Sequence, residues 1–333
     1  MDKNGDGVYD PMKDIPGVPQ ADQTMWYVAN DLDATKVLTL SGSTPIGLEM
    51  QKTIWAYNRV GALGNTIFAR TKLINKSGVE LDSMYVAQWV DPDLGYPSDD
   101  YVGCDTTLSL GYCYNGEATD GNFATYNLTP SAVGCDFIQG PMVKTNNSID
   151  TAVFNFQYRM GYKNLPMTAF NFFISGNATY TDPVSAVYSG TGQWYNLLQG
   201  LVGNSGAPYT NPITHQTTKF VLSGDPVAGT GWIDGSIAGP GDRRLAMCSG
   251  PLTMAAGDTQ EVVVAFIASR GTDYLNSITA LKNDVKSEQQ VFHSLFANIS
   301  PQISSQVSTN GSNAVISLNI ELPVIKFLGV PSK

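Results

Sequence analysis

The sequence predicts a mostly β fold, a large antiparallel β-sandwich of many strands with long loops and one packed α-helix. Gly, Ser, Thr, Asn and Tyr are abundant and only 14% of the 333 residues are charged, which is typical of extracellular β proteins with many turns. Short apolar segments alternate with segments rich in Gly and Pro, as strands alternate with turns. Only one long segment, near residues 274–296, has a helical period.

The first predicted strands cover residues 24–30, 45–58 and 66–75, and the short turns between them indicate an antiparallel meander. The next strand runs from 83 to 90 and has apolar residues on both faces, so we expect it to be covered on both sides. A nearly continuous apolar run at 260–269 predicts a central strand.

The remaining elements are shorter. We expect a short helix at 193–202 and long surface loops at 203–241. Further strands are predicted at 106–114, 133–138, 152–157, 167–174 and 243–249.

The helix at 274–296 is predicted from a single buried stripe. Asp273 is its expected N-cap, and Pro301 stops the chain after it. The stripe recurs at spacings of three, four or seven residues and consists of Leu275, Ile278, Leu281, Val285, Phe292 and Leu295.

These elements divide the chain into three parts. Residues 1–20 form a calcium-type loop and a Pro-rich lead-in, residues 21–300 the sandwich with its helix, and residues 301–333 a linker and a strand-like tail. The tail is strand-like over 314–328, and its polar and apolar residues alternate up to Pro323. It can close a sheet of its own or add to a neighbouring molecule, and the second arrangement repeated head to tail builds a filament.

Charge and hydropathy exclude two classes of partner. The net charge of −10 argues against nucleic acid and anionic membranes, and no apolar run is long enough to be a transmembrane segment.

Met1 leads directly into an acidic segment without the basic and apolar regions of a signal peptide. We therefore expect a fragment of a longer chain or a processed product.

The opening segment, DKNGDGVYDPMKD, has oxygen ligands at alternate positions followed by a glycine turn, as in a calcium loop. Lys13 stands where an EF-hand has Glu, and Pro11 and Pro16 exclude the second helix. The pattern resembles the helix-free loops of dockerin-like and thrombospondin-type repeats; a plain Asn- and Gly-rich turn is the alternative. The candidate ligands are Asp2, Asn4, Asp6, Val8, Asp10 and Asp14.

A second acidic segment follows the strand at 83–90. Its carboxylates repel one another unless a cation neutralises them, so calcium is the expected cofactor. A solvated loop with Asp-capped turns is the alternative, and a glycosidase-like pair formed by Asp91 and Asp93 is a third reading. The candidate ligands here are Asp91, Asp93, Asp99, Asp100 and Asp105.

The four cysteines have no metal-type spacing. In a secreted protein they predict one or two disulfides, and all four, Cys104, Cys113, Cys135 and Cys248, are candidates; the local choices are Cys113 with Cys135 or Cys104 with Cys113. Four buried free thiols are the alternative.

The sequence contains little that indicates catalysis, and we expect that the protein is not an enzyme. Neither His215 nor His293 has an acidic neighbour in sequence, and no nucleophile elbow, zinc-protease motif or phosphate loop is present. Trp194, Tyr195 and Trp232 lie in the loop-rich part and are candidates for an exposed platform that stacks on glycan rings.

Several segments are familiar in combination: DQTMWYVANDLD, QWVDPDLG, DDYVGCDTTLSLGYCYN, LSGDPVAGTGWIDG, GDRRLAMCSGPLTMAAGDTQEVVVAFIA and LNSITALK. Over residues 2–296 the chain resembles large, poorly characterised secreted proteins of Bacteroidota and Ignavibacteria-like bacteria, which the type IX pathway exports. The resemblance implies an extracellular, cell-surface location. The residues after Ala297 do not match the sorting domain of those proteins.

Together these observations favour an extracellular structural or adhesive protein, stabilised by calcium, that assembles with copies of itself or with other surface proteins through its terminal strand. The alternative is a secreted carbohydrate-binding or glycan-cleaving module that uses the loop from Asp91 to Asp105. The features behind the first hypothesis are the missing catalytic residues, the acidic loops, the expected disulfide and the strand-like tail.

Overall fold

A computed structural model of the chain describes residues 3–6, 13–14, 17–18, 20–297 and 299, together with the backbone of 302–310 and 313–321. It confirms a mostly β fold with several antiparallel sheets and few helices. The strands are β1 (Gln23–Asn30), β2 (Leu48–Ala56), β3 (Thr66–Asn75), β4 (Leu81–Val90), β5 (Asp100–Asp105), β6 (Leu110–Asn115), β7 (Ala132–Gln139), β8 (Met142–Lys144), β9 (Thr151–Phe154), β10 (Gln157–Met160), β11 (Tyr162–Asn164), β12 (Ala169–Ile174), β13 (Tyr209–Thr210), β14 (Thr217–Thr218), β15 (Arg243–Met254), β16 (Thr259–Ser269), β17 (Gln302–Asn310) and β18 (Asn313–Glu321). The α-helices are α1 (Ala34–Ser41), α2 (Gly121–Thr125), α3 (Tyr188–Leu198) and α4 (Tyr274–His293).

Two sheets form the sandwich. The larger has seven strands in the order β1-β2-β3-β16-β7-β6-β5, and the smaller has three in the order β12-β15-β4. The predicted meander is present as β1, β2 and β3, and the strand predicted to be central, β16, is the middle strand of seven. The main core lies between the sheets, where Val102 and Val264 of the larger sheet share a cluster with Phe170 and Leu245 of the smaller.

Helices cover the outer faces of both sheets. Helix α4 packs on the seven-stranded sheet through Ile278, Leu281 and Val285, which belong to the predicted stripe and are fully buried. Its N-cap is Asp273, as predicted, because the side chain accepts a hydrogen bond from the Asn276 N–H at 2.8 Å. Helix α3 lies on the three-stranded sheet, where Leu197 packs with buried residues of β12 and β15.

Two sequence expectations about strands are wrong. β4 is an edge strand with no fully buried residue, because it pairs only with β15 in the described chain; two apolar faces do not distinguish an edge from a centre. Residues 100–105, expected to be irregular loop, form strand β5. Gly103 does not break this strand, because it makes room for the Tyr112 ring, whose hydroxyl lies 2.7 Å from where a Cβ would stand.

The C-terminal segment also differs from expectation. The predicted linker contains strand β17, and β17 pairs with β18 in an antiparallel hairpin, from Gln302 opposite Glu321 to Asn310 opposite Asn313. The tail strand therefore pairs within its own molecule over the described residues. The remainder of the predicted strand, 322–328, lies outside them.

Candidate functional site

The outermost strand of the larger sheet, β1, is exposed on both faces. Met25 and Tyr27 are 58% and 46% exposed, and Trp26 and Val28, which alternate with them, are 39% and 44% exposed. Successive residues of a strand lie on opposite faces, so neither face of β1 is covered. A long exposed apolar edge strand is unusual, because it invites pairing with another chain.

The backbone of β1 is also available. It pairs with β2 on one side, and among the described residues no strand pairs with its other side, which we call the β1 edge. The register is continued by Asp31, whose N–H donates to the Leu48 carbonyl at 3.1 Å. Because antiparallel ladders use alternate residues, Thr24, Trp26, Val28 and Asn30 direct their backbone groups outward along the β1 edge.

The sequence around β1 leaves this edge uncharged. No charged residue lies between Asp22 and Asp31. Asp22 is held by Arg59 at 3.0 Å, and the carboxylate of Asp31 accepts the N–H groups of Ile46 and Leu48 at 2.7 and 2.6 Å. The lysines and inward charges that commonly protect edge strands are therefore absent from β1.

The neighbouring face of the larger sheet is only partly covered, because the smaller sheet has fewer strands. Ile67 of β3, on the side that faces the smaller sheet, remains half exposed. An apolar crevice of about 310 Å³ opens between the sheets, lined among others by Ile67, Val90, Pro92, Leu245 and Phe266. The crevice is lined by residues of β3, β4, β6, β7, β15 and β16 and their adjoining loops, and no residue of β1 lines it.

The five predicted acidic ligands after β4 do not form one cluster. Asp91 pairs with Arg244, which also binds Asp182 and Asp242, at distances from 2.9 to 3.2 Å. The carboxylate of Asp91 is therefore engaged by Arg244, and Asp93 is an exposed loop residue. These positions do not support the predicted catalytic pair of Asp91 and Asp93.

Asp105 has a partner of its own and lies apart from the other four. Its carboxylate pairs with Lys282 of α4 at 3.0 Å and accepts a hydrogen bond from the Thr107 hydroxyl at 2.6 Å. Burial opposes ionisation, but these two contacts lower the pKa of Asp105. In the described chain, no three His, Cys, Asp or Glu side chains are grouped as in a metal centre.

Asp99 and Asp100 differ from the other three. Asp100 is 1% exposed and accepts the Leu94 N–H at 3.1 Å through one oxygen. Burial, together with the charges of Asp99 and Asp120, raises the pKa of Asp100 to about 8. Burial and the charges of Asp120 and Glu117 also raise the pKa of Asp99.

The N-terminal loop is described only in part. The Lys3 N–H donates to Asp14 at 2.6 Å, and the Asn4 amide donates to Asp6 at 2.7 Å. Asp14 therefore lies against the start of the loop. The other three predicted ligands, Asp2, Val8 and Asp10, lie outside the described residues.

The predicted disulfides are not formed, since all four cysteines are buried free thiols. Cys113 lies opposite Val133 and Cys135 opposite Gly111, so the two cysteines are diagonal neighbours. Diagonal positions are about 7–8 Å apart, too far for a disulfide without backbone movement. Cys104 lies opposite Gly111 on the other side, and Cys248 is in the smaller sheet.

The three aromatic residues proposed as a glycan platform do not present free rings together. Trp232 is 3% exposed, and Trp194 packs edge-on against Phe173. Tyr195 is partly exposed, but its ring packs against Tyr85 and its hydroxyl donates to the Ser83 carbonyl at 3.0 Å. A flat stacking surface is therefore not built from these residues.

The sequence contains a signal for two features that were not predicted: the exposed edge strand β1, and the position of Asn115 opposite Asp100. TMWYVAN lacks the polar alternation of a strand with one solvated face, which indicates an exposed apolar edge or a doubly buried strand. The turn at 106–109 places Asp105 opposite Leu110. Each further step away from the turn pairs the next residue of β5 with the next residue of β6, so Asp100 lies opposite Asn115.

Comparison with known proteins finds no family whose sequence profile matches this chain and no curated protein significantly similar to it. Within the described residues, no helix has the length and apolar character needed to cross a membrane.

Proposed function

We propose that this protein is a structural or adhesive subunit of an extracellular surface layer or fibre, and that its subunits pair as two-fold dimers through the β1 edge. The observation that carries the proposal is the exposure of both faces of β1 next to a backbone edge with which no described strand pairs. Pairing with a strand of another molecule satisfies the outward N–H and C=O groups and covers apolar side chains on both faces.

A second copy of the chain is the partner that fits this edge. Two β1 strands related by a two-fold axis at Trp26 pair through the outward-facing residues, with Thr24 opposite Val28 of the copy. In this register Asp22 lies opposite Asn30, so no two like charges face one another. The net charge of −10 repels the copies at long range, and salt screens that repulsion.

The test is the association state of purified protein, measured by light scattering coupled to size exclusion and by electron microscopy. We expect the wild-type chain to associate more strongly as salt increases. Trp26→Lys and Val28→Lys place a charge at the pairing edge and should yield monomers. The matched control is Val60→Lys, which charges an apolar residue that is 93% exposed outside any strand and should associate normally.

The C-terminal hairpin is the other strand donor that the sequence suggests. Removing residues 302–333 separates the two routes: association through β1 survives the truncation, whereas association through the tail is lost. A monomeric wild-type chain at all salt concentrations, or lysine variants that associate like the wild type, would overturn the β1 proposal. The extracellular and calcium-stabilised setting is a separate part of the proposal, supported by composition and the acidic loops.

A further inference from the structure

We propose that the apolar crevice between the two sheets binds an uncharged molecule with one aliphatic chain of roughly ten carbon atoms, such as a medium-chain alcohol. We call this site the intersheet crevice, and its volume is about 310 Å³. An apolar cavity of about half that volume is enough to hold benzene in another protein. No residue of β1 lines the crevice, so this site is independent of the association proposed above.

The register of four neighbouring strands builds the floor of the crevice. One row of the floor crosses the larger sheet from β3 to β6 through residues that lie directly opposite one another: Ile67, Phe266, Cys135 and Gly111. A second row beside it consists of Ala268, Val133 and Cys113. Opposed residues of a sheet share a face, and Phe266, Cys135 and Cys113 belong to the core between the sheets. Both rows therefore face the smaller sheet.

The smaller sheet supplies the roof. Leu245 of β15 lies opposite Val90 of β4, and both residues line the crevice together with Pro92. In the described chain no strand follows β4 in this sheet, so three strands of roof stand against seven of floor. The side chains of the second row are small as well. The crevice is the space that this unequal layering leaves unfilled.

The crevice has an open end and a closed end. Exposure falls along the first row from 50% at Ile67 to 3% at Cys135, and Gly111 beyond them is buried. Atoms of Met247 and Phe170 close this end, since they lie 2.9 Å from where a Cβ on Gly111 would stand.

The distance between the two ends sets the length of the ligand. Neighbouring strands are about 4.8 Å apart, so the three intervals from β3 to β6 span roughly 14 Å. An extended chain advances about 1.2 Å per bond, so this length accommodates roughly ten carbon atoms once their own radii are allowed for.

The lining selects an uncharged ligand. Asn65, exposed near the open end, is the one lining residue whose side chain is neither apolar nor a thiol. Its amide both donates and accepts hydrogen bonds, which suits a hydroxyl head group. No charged residue lines the crevice, so a carboxylate that enters it loses water and finds no cation. The net charge of −10 also repels an anionic ligand.

The experiment is a fluorescence titration of the full chain with N-phenyl-1-naphthylamine, an uncharged probe that brightens in apolar sites. The bound probe is then displaced by primary alkanols of increasing chain length. We expect each added methylene to tighten the alkanol about 4-fold until the crevice is filled near ten carbons, after which the affinity levels off. Decanoate should displace the probe at least about 5-fold more weakly than decanol, because its charge has no partner in the crevice.

Two variants that introduce the same side chain locate the probe. Ala268→Trp fills the open end at an exposed position and should weaken probe binding at least about 10-fold. Ile149→Trp is the matched control, since Ile149 is 76% exposed and does not line the crevice, and it should bind like the wild type. Circular dichroism verifies that each variant is folded.

The proposal is overturned if the wild type binds no probe, if alkanol affinity shows no limit near ten carbons, or if decanoate binds as tightly as decanol. It is equally overturned if Ala268→Trp binds like the wild type. Loss of the probe in Trp26→Lys would also overturn it, because the probe would then lie at the β1 edge.

Discussion

Arg243 and Asp234 form an ion pair of 3.0 Å in which each side chain is 1% exposed. The pair secures the long loop before β15. Asp234 also accepts the Val102 N–H of β5 at 3.1 Å, and Arg243 donates to the Gly239 carbonyl at 2.6 Å. A segment that composition alone describes as surface loop is thus attached to the core by a buried charge pair.

We expect Arg243→Met to destabilise the protein by roughly 3–5 kcal/mol, because it leaves Asp234 buried and unpaired. Chemical denaturation measures the change. Lys36→Met is the control, since Lys36 and its partner Asp33 are 85% and 52% exposed and the loss should be below about 1 kcal/mol. Adding Asp234→Asn to Arg243→Met should cost less than the sum of the single changes, and strict additivity would contradict the coupling.

Glu288 of α4 and Asp136 of β7 predict an unusual pH dependence. Both are fully buried, and both oxygens of Glu288 and one of Asp136 lack a hydrogen-bond partner. Burial, and for Glu288 the neighbouring charge of Asp136, raise the pKa of both groups well above the ordinary values. The folded state therefore holds protons that the unfolded state releases, and this stability is present at acid pH and lost as pH rises toward the raised values.

Glu288→Gln should remove much of that dependence, because a neutral amide of the same shape has no proton to lose. We expect the variant to be more stable than the wild type at pH 8 by roughly 1–4 kcal/mol and about equal to it near pH 4. Urea denaturation at the two pH values measures the difference. Glu80→Gln, at an exposed position, should show none; an unchanged pH profile in Glu288→Gln would contradict the assignment.

The four thiols should be unreactive in the folded protein. Burial raises the pKa of each of Cys104, Cys113, Cys135 and Cys248, so neither thiolate nor access is available. A chromogenic disulfide reagent should therefore detect no thiol in the native chain and four after denaturation. Reducing agent should leave the melting temperature unchanged; a lower value under reduction would indicate a disulfide.

Gly140 predicts a local steric limit at the end of β7. A Cβ built there would lie 1.9 Å from the Leu165 carbonyl oxygen, a backbone atom that cannot rotate away. We expect Gly140→Ala to destabilise by about 2–4 kcal/mol. Gly121→Ala at the start of α2, where no atom lies within 4 Å of the added Cβ, is the matched control and should be neutral within about 0.5 kcal/mol in thermal denaturation.

The partners of the predicted acidic ligands could not be predicted from the sequence. Asp91 and Asp105 are close to Asp99 and Asp100 in sequence, and proximity suggested one cluster. Asp91 instead pairs with Arg244, which is 153 residues away, and Asp105 pairs with a lysine of α4. Which residues become partners depends on the order of the strands in the sheet and on where the helix packs. The local pattern of residues along the chain does not show either.

By itself, the sequence determined the fold class, the central strand β16 and the helix α4, because apolar periodicity records which residues of an element face a core. It did not determine that β4 is an edge, that β1 is uncovered on both faces, or that Cys113 and Cys135 are diagonal neighbours, too far apart for a disulfide. Those facts depend on which strands become neighbours and in what register. A shift of one residue in the register moves every side chain of the strand to the opposite face of the sheet. The correct register is selected only by the tertiary structure.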